Sequence, residues 1–171
     1  MSVSANCFPL LIQQNVQVSG FFNRSWAEYK VGFNDSTGNF WIGNDLLHEL
    51  TKENRYKLRF DLQQTGTEEW FWAEYSRFVV KSEAEGYQLN IAGFTGNAGN
   101  DAMAYSNGRM FSTYDVDNDP CSCDCASGNG GGFWYTACTH CGVTGSRNFV
   151  WYGLPGGQRF LKFCRMWLAC H

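Results

Sequence analysis

Phe111-Ser112-Thr113-Tyr114-Asp115-Val116-Asp117-Asn118-Asp119 is the most distinctive stretch of this chain. Its three carboxylates alternate along the backbone, and it contains no Lys or Arg. Like charges held so close repel unless water solvates them or a hard cation sits among them. Calcium, which gathers about six to eight oxygens from carboxylates and carbonyls, is the natural cation. The residues alone leave two readings open, an acidic surface turn and a calcium loop. An EF-hand is excluded by register. With Asp115 as first ligand, the required glycine position holds Pro120 and the closing glutamate position holds Ala126.

The surroundings of this loop are rich in cysteine. Of the chain's 8 Cys, Cys121, Cys123, Cys125, Cys138, Cys141, Cys164 and Cys170 crowd its last third, and Cys7 stands alone near the start. An even count suits a disulfide framework in an oxidising compartment. The same spacing, C-x-C-x-C followed by Cys138-Thr139-His140-Cys141, also suits a thiolate zinc site built from Cys121, Cys123, Cys125, Cys138 and Cys141. Asn23-Arg24-Ser25 and Asn34-Asp35-Ser36 are glycosylation sequons, with Asn23 and Asn34 as acceptors. Residues 1–14 carry no basic segment, and the apolar run Leu10-Leu11-Ile12 is too short for a secretion signal.

Composition narrows the class. The 171 residues suit one domain, and net charge −3 with 17% charged residues and no basic run argues against nucleic acid. No apolar stretch approaches the roughly 20 residues that span a bilayer. The chain holds 14 Phe, 8 Tyr, 7 Trp and 19 Gly but only 3 Pro, a composition that suggests a loop-rich, aromatic-cored domain.

Periodicity supplies the elements. Asn23 reads as the cap of a short helix through Trp26, Ala27 and Tyr29, closed by Gly32; Asn44 reads as the cap of a second, with Leu46, Leu47 and Leu50 as its apolar stripe. Leu58, Phe60 and Leu62 alternate with Lys57, Arg59 and Asp61, the pattern of a half-buried strand. Residues 70–81 and 87–94 read as its antiparallel neighbours, joined by a polar turn, and residues 161–168 as the last strand. Between 94 and 110 the chain is Gly/Asn/Ser-rich loop, and from 111 to 135 periodicity disappears. An antiparallel sheet with short helices and a long irregular region is an α+β plan. No Ser-His-Asp, Cys-His or phosphate-loop arrangement is present, so an enzyme is not expected.

Several longer motifs together resemble the fibrinogen C-terminal domain. They are Trp26-Ala27-Glu28-Tyr29-Lys30-Val31-Gly32-Phe33, Gly38-Asn39-Phe40-Trp41-Ile42-Gly43-Asn44-Asp45, Ala73-Glu74-Tyr75-Ser76, Tyr105-Ser106-Asn107-Gly108, the acidic loop, and Gly131-Gly132-Phe133-Trp134-Tyr135 before Cys138. Their order holds from about Ile12 to Ala137, and residues 161–168 look like the family's closing strand. The resemblance implies one fibrinogen-like domain over residues 1–171, lacking the family's usual N-terminal disulfide loop and leaving Cys7 without an evident partner.

The resemblance also implies a function. Ficolins, tachylectins, angiopoietins and tenascins are extracellular, non-enzymatic recognition proteins. Carried over residue by residue, calcium falls to the side chains of Asp117 and Asp119 and the carbonyls of Cys121 and Cys123. The family disulfide falls to Cys125 and Cys138, a short loop whose closure contributes about 3 kcal/mol on the chain-entropy model. The family pocket lies beside the calcium loop, at a cis bond between Ala137 and Cys138, with Phe133, Trp134, Tyr135 and His140 as candidate walls. Core packing competes for the three aromatics, since glycine-flanked rings pack more often than they bind. Three departures stand out: Thr139 follows the second Cys where the family often has His, the 138–151 segment is short, and Cys121, Cys123, Cys141, Cys164 and Cys170 are additional. The expected function is secreted, calcium-dependent, lectin-like binding of acetylated or glycan ligands of the kind used in innate immunity. A protein-binding module and, more distantly, a thiolate zinc domain are the alternatives; self-association is left open.

Overall fold

A computed structural model describes residues 8–171; the expectation for Cys7 lies outside them. Seven strands form one antiparallel sheet in the order β2-β3-β1-β7-β4-β5-β6. They are β1 (Leu10–Asn15), β2 (Phe33–Asn34), β3 (Phe40–Trp41), β4 (Tyr56–Gln64), β5 (Trp70–Val80), β6 (Leu89–Gly96) and β7 (Leu161–Cys170). The helices α1 (Trp26–Val31), α2 (Asn44–Thr51) and α3 (Cys125–Asn129) are short. The sequence-based α+β reading agrees with this architecture.

The centre of the sheet follows from alternation. Leu58, Phe60 and Leu62 of β4 are buried, and their partners in register include Tyr75, Ala73 and Phe71 on β5 and Leu168, Met166 and Cys164 on β7. The opposite face carries Arg59, Asp61, Trp72, Glu74, Arg165 and Trp167. There the Arg59 guanidinium lies 5.0 Å over Trp72 and that of Arg165 lies 5.3 Å over Trp70, so cation–π pairs cover the rings that face water.

Two caps differ from the sequence reading. α1 begins after Ser25, not Asn23, because Ser25 and Glu28 form a reciprocal capping box with Glu28 on the Ser25 amide at 2.9 Å. α2 is capped at Gly43, and the Asn44 side chain instead accepts from the Trp41 indole at 3.1 Å. β1 escaped the sequence reading altogether. Its Gln13 and Asn15 are buried, with both side-chain amides donating to the Val143 carbonyl at 3.2 and 3.1 Å, so the strand shows no clean apolar alternation.

The loop half of the molecule, residues 97–160, packs on the sheet through a chain of rings. Tyr29 meets Phe111 at 5.1 Å, Phe111 meets Trp134 at 5.1 Å, and Trp41 meets Trp134 at 6.3 Å. Gly132 is required here by close approach. A Cβ at that position would lie 2.7 Å from the Tyr29 ring and 2.9 Å from the Phe111 ring.

Candidate functional site

The acidic loop begins where Phe111 enters the core and Ser112 pairs with Phe133 through backbone bonds of 2.9 and 3.1 Å. From there its three carboxylates divide. Asp115 accepts from the Trp26 amide at 2.9 Å and the Thr113 hydroxyl at 2.7 Å, which ties the loop to the start of α1. Asp117 accepts from the Asp119 amide at 3.1 Å. Asp119 takes the Cys121 amide on one oxygen at 2.8 Å and the Cys125 amide on the other at 3.1 Å. None of the ion pairs among the described residues involves Asp115, Asp117 or Asp119. Burial raises the Asp119 carboxyl above its ordinary range, and the neighbouring Asp117 charge adds to it, against the lowering effect of the two amides. Such a carboxylate ionises less readily than a free one, and among the described residues no Lys, Arg or His is paired with it.

The cysteines follow at once. Asp124 caps α3 by accepting from the Ser127 amide at 2.8 Å. Cys125 opens that helix and is bonded to Cys138; Cys121 is bonded to Cys123. The four Sγ atoms lie within 4.8 Å of one another. Cys141, needed by the five-cysteine zinc alternative, is not among them; it is a buried free thiol on a strand-like bridge to Trp151. Cys164 is also a buried free thiol, and Cys170 is disulfide-bonded.

A cavity of about 430 Å³ opens beside the Cys125–Cys138 bond. Asn129 and Asn148 form one side, their amides joined at 2.9 Å, and Cys138, Thr139, His140 and Tyr152 form the other. The Ala137–Cys138 peptide bond in its wall is cis. His140 is exposed and sandwiched between two rings, with Tyr105 at 4.2 Å and Tyr152 at 5.1 Å, and the Arg159 guanidinium lies 5.1 Å over Tyr152. Among the described residues, no Asp, Glu, Lys or Arg lines the cavity.

The structure sorts the residues singled out from sequence. Ala137, Cys138 and His140 line the cavity. Phe133, Trp134 and Tyr135 do not; they are 0%, 0% and 1% exposed and belong to the core. The Gly131-Gly132 pair lets this segment run against Tyr29 and Phe111, so the Trp134 indole donates inward to the Tyr87 carbonyl at 2.8 Å and the Tyr135 hydroxyl to Gly131 at 2.6 Å. Sequence reading missed Asn129, Asn148 and Tyr152. Asn129 lies on α3, well before Asn148 and Tyr152, and the three line one cavity because α3 folds back on the 138–152 segment. Both sequon asparagines, Asn23 and Asn34, are exposed.

Comparison with known proteins agrees with this architecture. The family of fibrinogen beta and gamma chains, C-terminal globular domain, matches residues 2–168. The chain is 41% identical over 143 residues to protein scabrous of Drosophila melanogaster, covering 82% of this chain and 18% of that protein. It is 40% identical over 167 residues to angiopoietin-4 of Bos taurus, covering 91% and 33%. It therefore spans well under half of these relatives. Among solved structures, the fibrinogen-like globe domain of human ANGPTL2 superposes with TM-score 0.86 at 30% identity, covering 95% of this chain and 80% of that one. Lamprey fibrin D-dimer complexed with the peptide Gly-His-Arg-Pro-amide superposes with TM-score 0.81 at 28% identity, covering 92% and 60%. No helix among the described residues is long and apolar enough to cross a membrane. The chain belongs to the fibrinogen C-terminal domain family, and by that membership is a binding module rather than an enzyme.

Proposed function

We propose that this domain is an extracellular recognition module whose cavity takes an uncharged polar group, an acetamido group above all, presented by a glycan or another acetylated ligand. The observation that carries the reading is the lining. Asparagine side chains and peptide groups line it together with the stacked rings of His140 and Tyr152, and no Asp, Glu, Lys or Arg is among its described lining residues. Polar groups fix orientation in such sites, and ring and aliphatic surface holds the apolar part. Val150 and the Tyr152 ring suit a methyl group; the amides of Asn129 and Asn148 suit a carbonyl or hydroxyl.

Calcium fits the acidic loop. Asp119 is part-buried, raised by that burial and then by Asp117, and has no cationic partner among the described residues, and carboxylates are the hard-cation ligands. The side chains of Asp117 and Asp119, with the carbonyls of Cys121 and Cys123, would hold it. When bound, the ion supplies the positive charge that the two carboxylates lack. Asp119 already holds the amide of Cys125, so the loop and the disulfide that walls the cavity are joined through one side chain.

A second reading is a protein partner docked through the same cavity, supported by the lamprey neighbour and its peptide ligand. Retention on immobilised N-acetylglucosamine, with elution by EDTA or free acetate, tests the first reading. Retention on immobilised Gly-His-Arg-Pro-amide tests the second. Binding to the peptide with none to the sugar overturns the acetamido assignment.

A further inference from the structure

The sulfur cluster has a chemistry that neither reading uses. Cys123 Sγ lies 3.9 Å from Cys125 Sγ and 3.8 Å from Cys138 Sγ, so one disulfide touches both sulfurs of the other. Exposure is graded across the four. Cys123 is exposed, Cys121 and Cys138 are half-buried, and Cys125 is buried. Disulfides exchange when a thiolate attacks a sulfur it can reach, through a mixed disulfide. An external thiolate therefore meets Cys121–Cys123 first.

We propose that Cys121–Cys123 is a thiol-exchange site that accepts an external dithiol and passes the exchange to Cys125–Cys138. One thiolate of the dithiol bonds to Cys121 Sγ, the half-buried end of the more exposed disulfide, and the electron pair of the broken S–S bond leaves on Cys123 Sγ, the sulfur that touches the second disulfide. The Cys123 thiolate then bonds to Cys138 Sγ, and the electron pair of that broken bond leaves on Cys125 Sγ. The second thiolate of the reagent closes on the first and releases Cys121. The dithiol is oxidised to its cyclic disulfide, the protein is reduced by one disulfide, and the two protons of the reagent end on Cys121 and Cys125. A Cys123–Cys138 bond remains.

The exchange reaches both functional elements. Cys121 and Cys125 give their amides to Asp119, and Cys138 lines the cavity. Cys141 and Cys164 do not compete, because burial holds both thiols protonated and out of reach.

The native protein is treated with a single molar equivalent of dithiothreitol, alkylated without denaturation and mapped by mass spectrometry. A peptide crosslinked through Cys123–Cys138, with Cys121 and Cys125 alkylated, is expected. Transfer to Cys125 instead, leaving Cys138 alkylated, also supports the relay. Alkylation of Cys121 and Cys123 with Cys125–Cys138 intact overturns it. In the Cys121→Ser/Cys123→Ser variant, reduction of Cys125–Cys138 is expected to slow about tenfold or more, as the reachable entry point is lost; an unchanged rate overturns the proposal. So does purification of the untreated protein with stoichiometric zinc and four free thiols at these positions.

Discussion

Strands β4 and β7 hold each other through backbone bonds along a register that runs from Tyr56 opposite Cys170 to Gln64 opposite Leu161. Between residues 111 and 152 the backbone bonds are scattered over turns and short bridges, and several amides turn to side chains instead. The Asn118 amide donates to the Ser112 hydroxyl, the Cys121 and Cys125 amides to Asp119, the Gly132 amide to the Tyr29 hydroxyl, and the Cys141 amide to Thr139. The difference teaches where function can sit. A strand ladder satisfies itself and tolerates little rearrangement. A loop of scattered bonds can present carboxylates, amides and rings in one place, provided disulfides and ring packing hold it still.

The largest expected effect separates the two regions by the calcium dependence proposed for the acidic loop. Phe60→Ala empties a fully buried site at the centre of the sheet and should cost about 3–5 kcal/mol in denaturant unfolding, equally in calcium and in EDTA. A cost that depended strongly on calcium would mean that the sheet is not an independent frame. Asp117→Ala should act the opposite way. It removes the stabilisation that saturating calcium gives, about 2.7 kcal/mol at a hundredfold excess over Kd, and leaves stability in EDTA nearly unchanged.

The pH dependence of that calcium effect follows from Asp119. Its carboxyl is raised in the metal-free fold, so its contribution to metal-free stability is present below the unfolded pKa and is lost as pH rises through the folded one. Calcium and protons compete for the same carboxylate. The difference in Tm between calcium and EDTA should therefore shrink as pH falls through the raised pKa of Asp119, and a difference constant from pH 7 down to pH 4 would contradict the assignment. The smallest effect on stability belongs to the cavity rim. Tyr152→Ala removes an exposed ring stacked on His140 and should weaken N-acetylglucosamine binding about tenfold, at a cost to folding of only about 0.5–1.5 kcal/mol. Equal binding by the variant would move the ligand elsewhere.

How much of this was legible in sequence divides along the same line. The alternation of Leu58, Phe60 and Leu62 announces β4, because one face of an antiparallel strand is buried. The capping box is also local, and Ser25 and Glu28 carried its signal three residues apart, though Asn23 drew the reading instead. β1 was hidden because Gln13 and Asn15 are buried polar residues whose partner, Val143, lies far along the chain. In the site, the acidic loop stood out because repulsion among neighbouring carboxylates is a sequence-local quantity. The division of labour between Asp115 and the other two was not visible, since it depends on the Trp26 amide. Phe133, Trp134 and Tyr135 were candidate walls with core packing as the competing reading, and the structure bears out the packing. The flanking glycines carried that signal, and the approach of Tyr29 and Phe111 to Gly132 shows its cause.

Calorimetric titration of the metal-free domain with calcium tests most directly whether the acidic loop braces the recognition cavity. The wild-type protein should bind one calcium per chain, Asp117→Ala should bind none, and N-acetylglucosamine should bind only the calcium-loaded wild type. Equal calcium binding by Asp117→Ala, or sugar binding that persists in EDTA, would contradict the account.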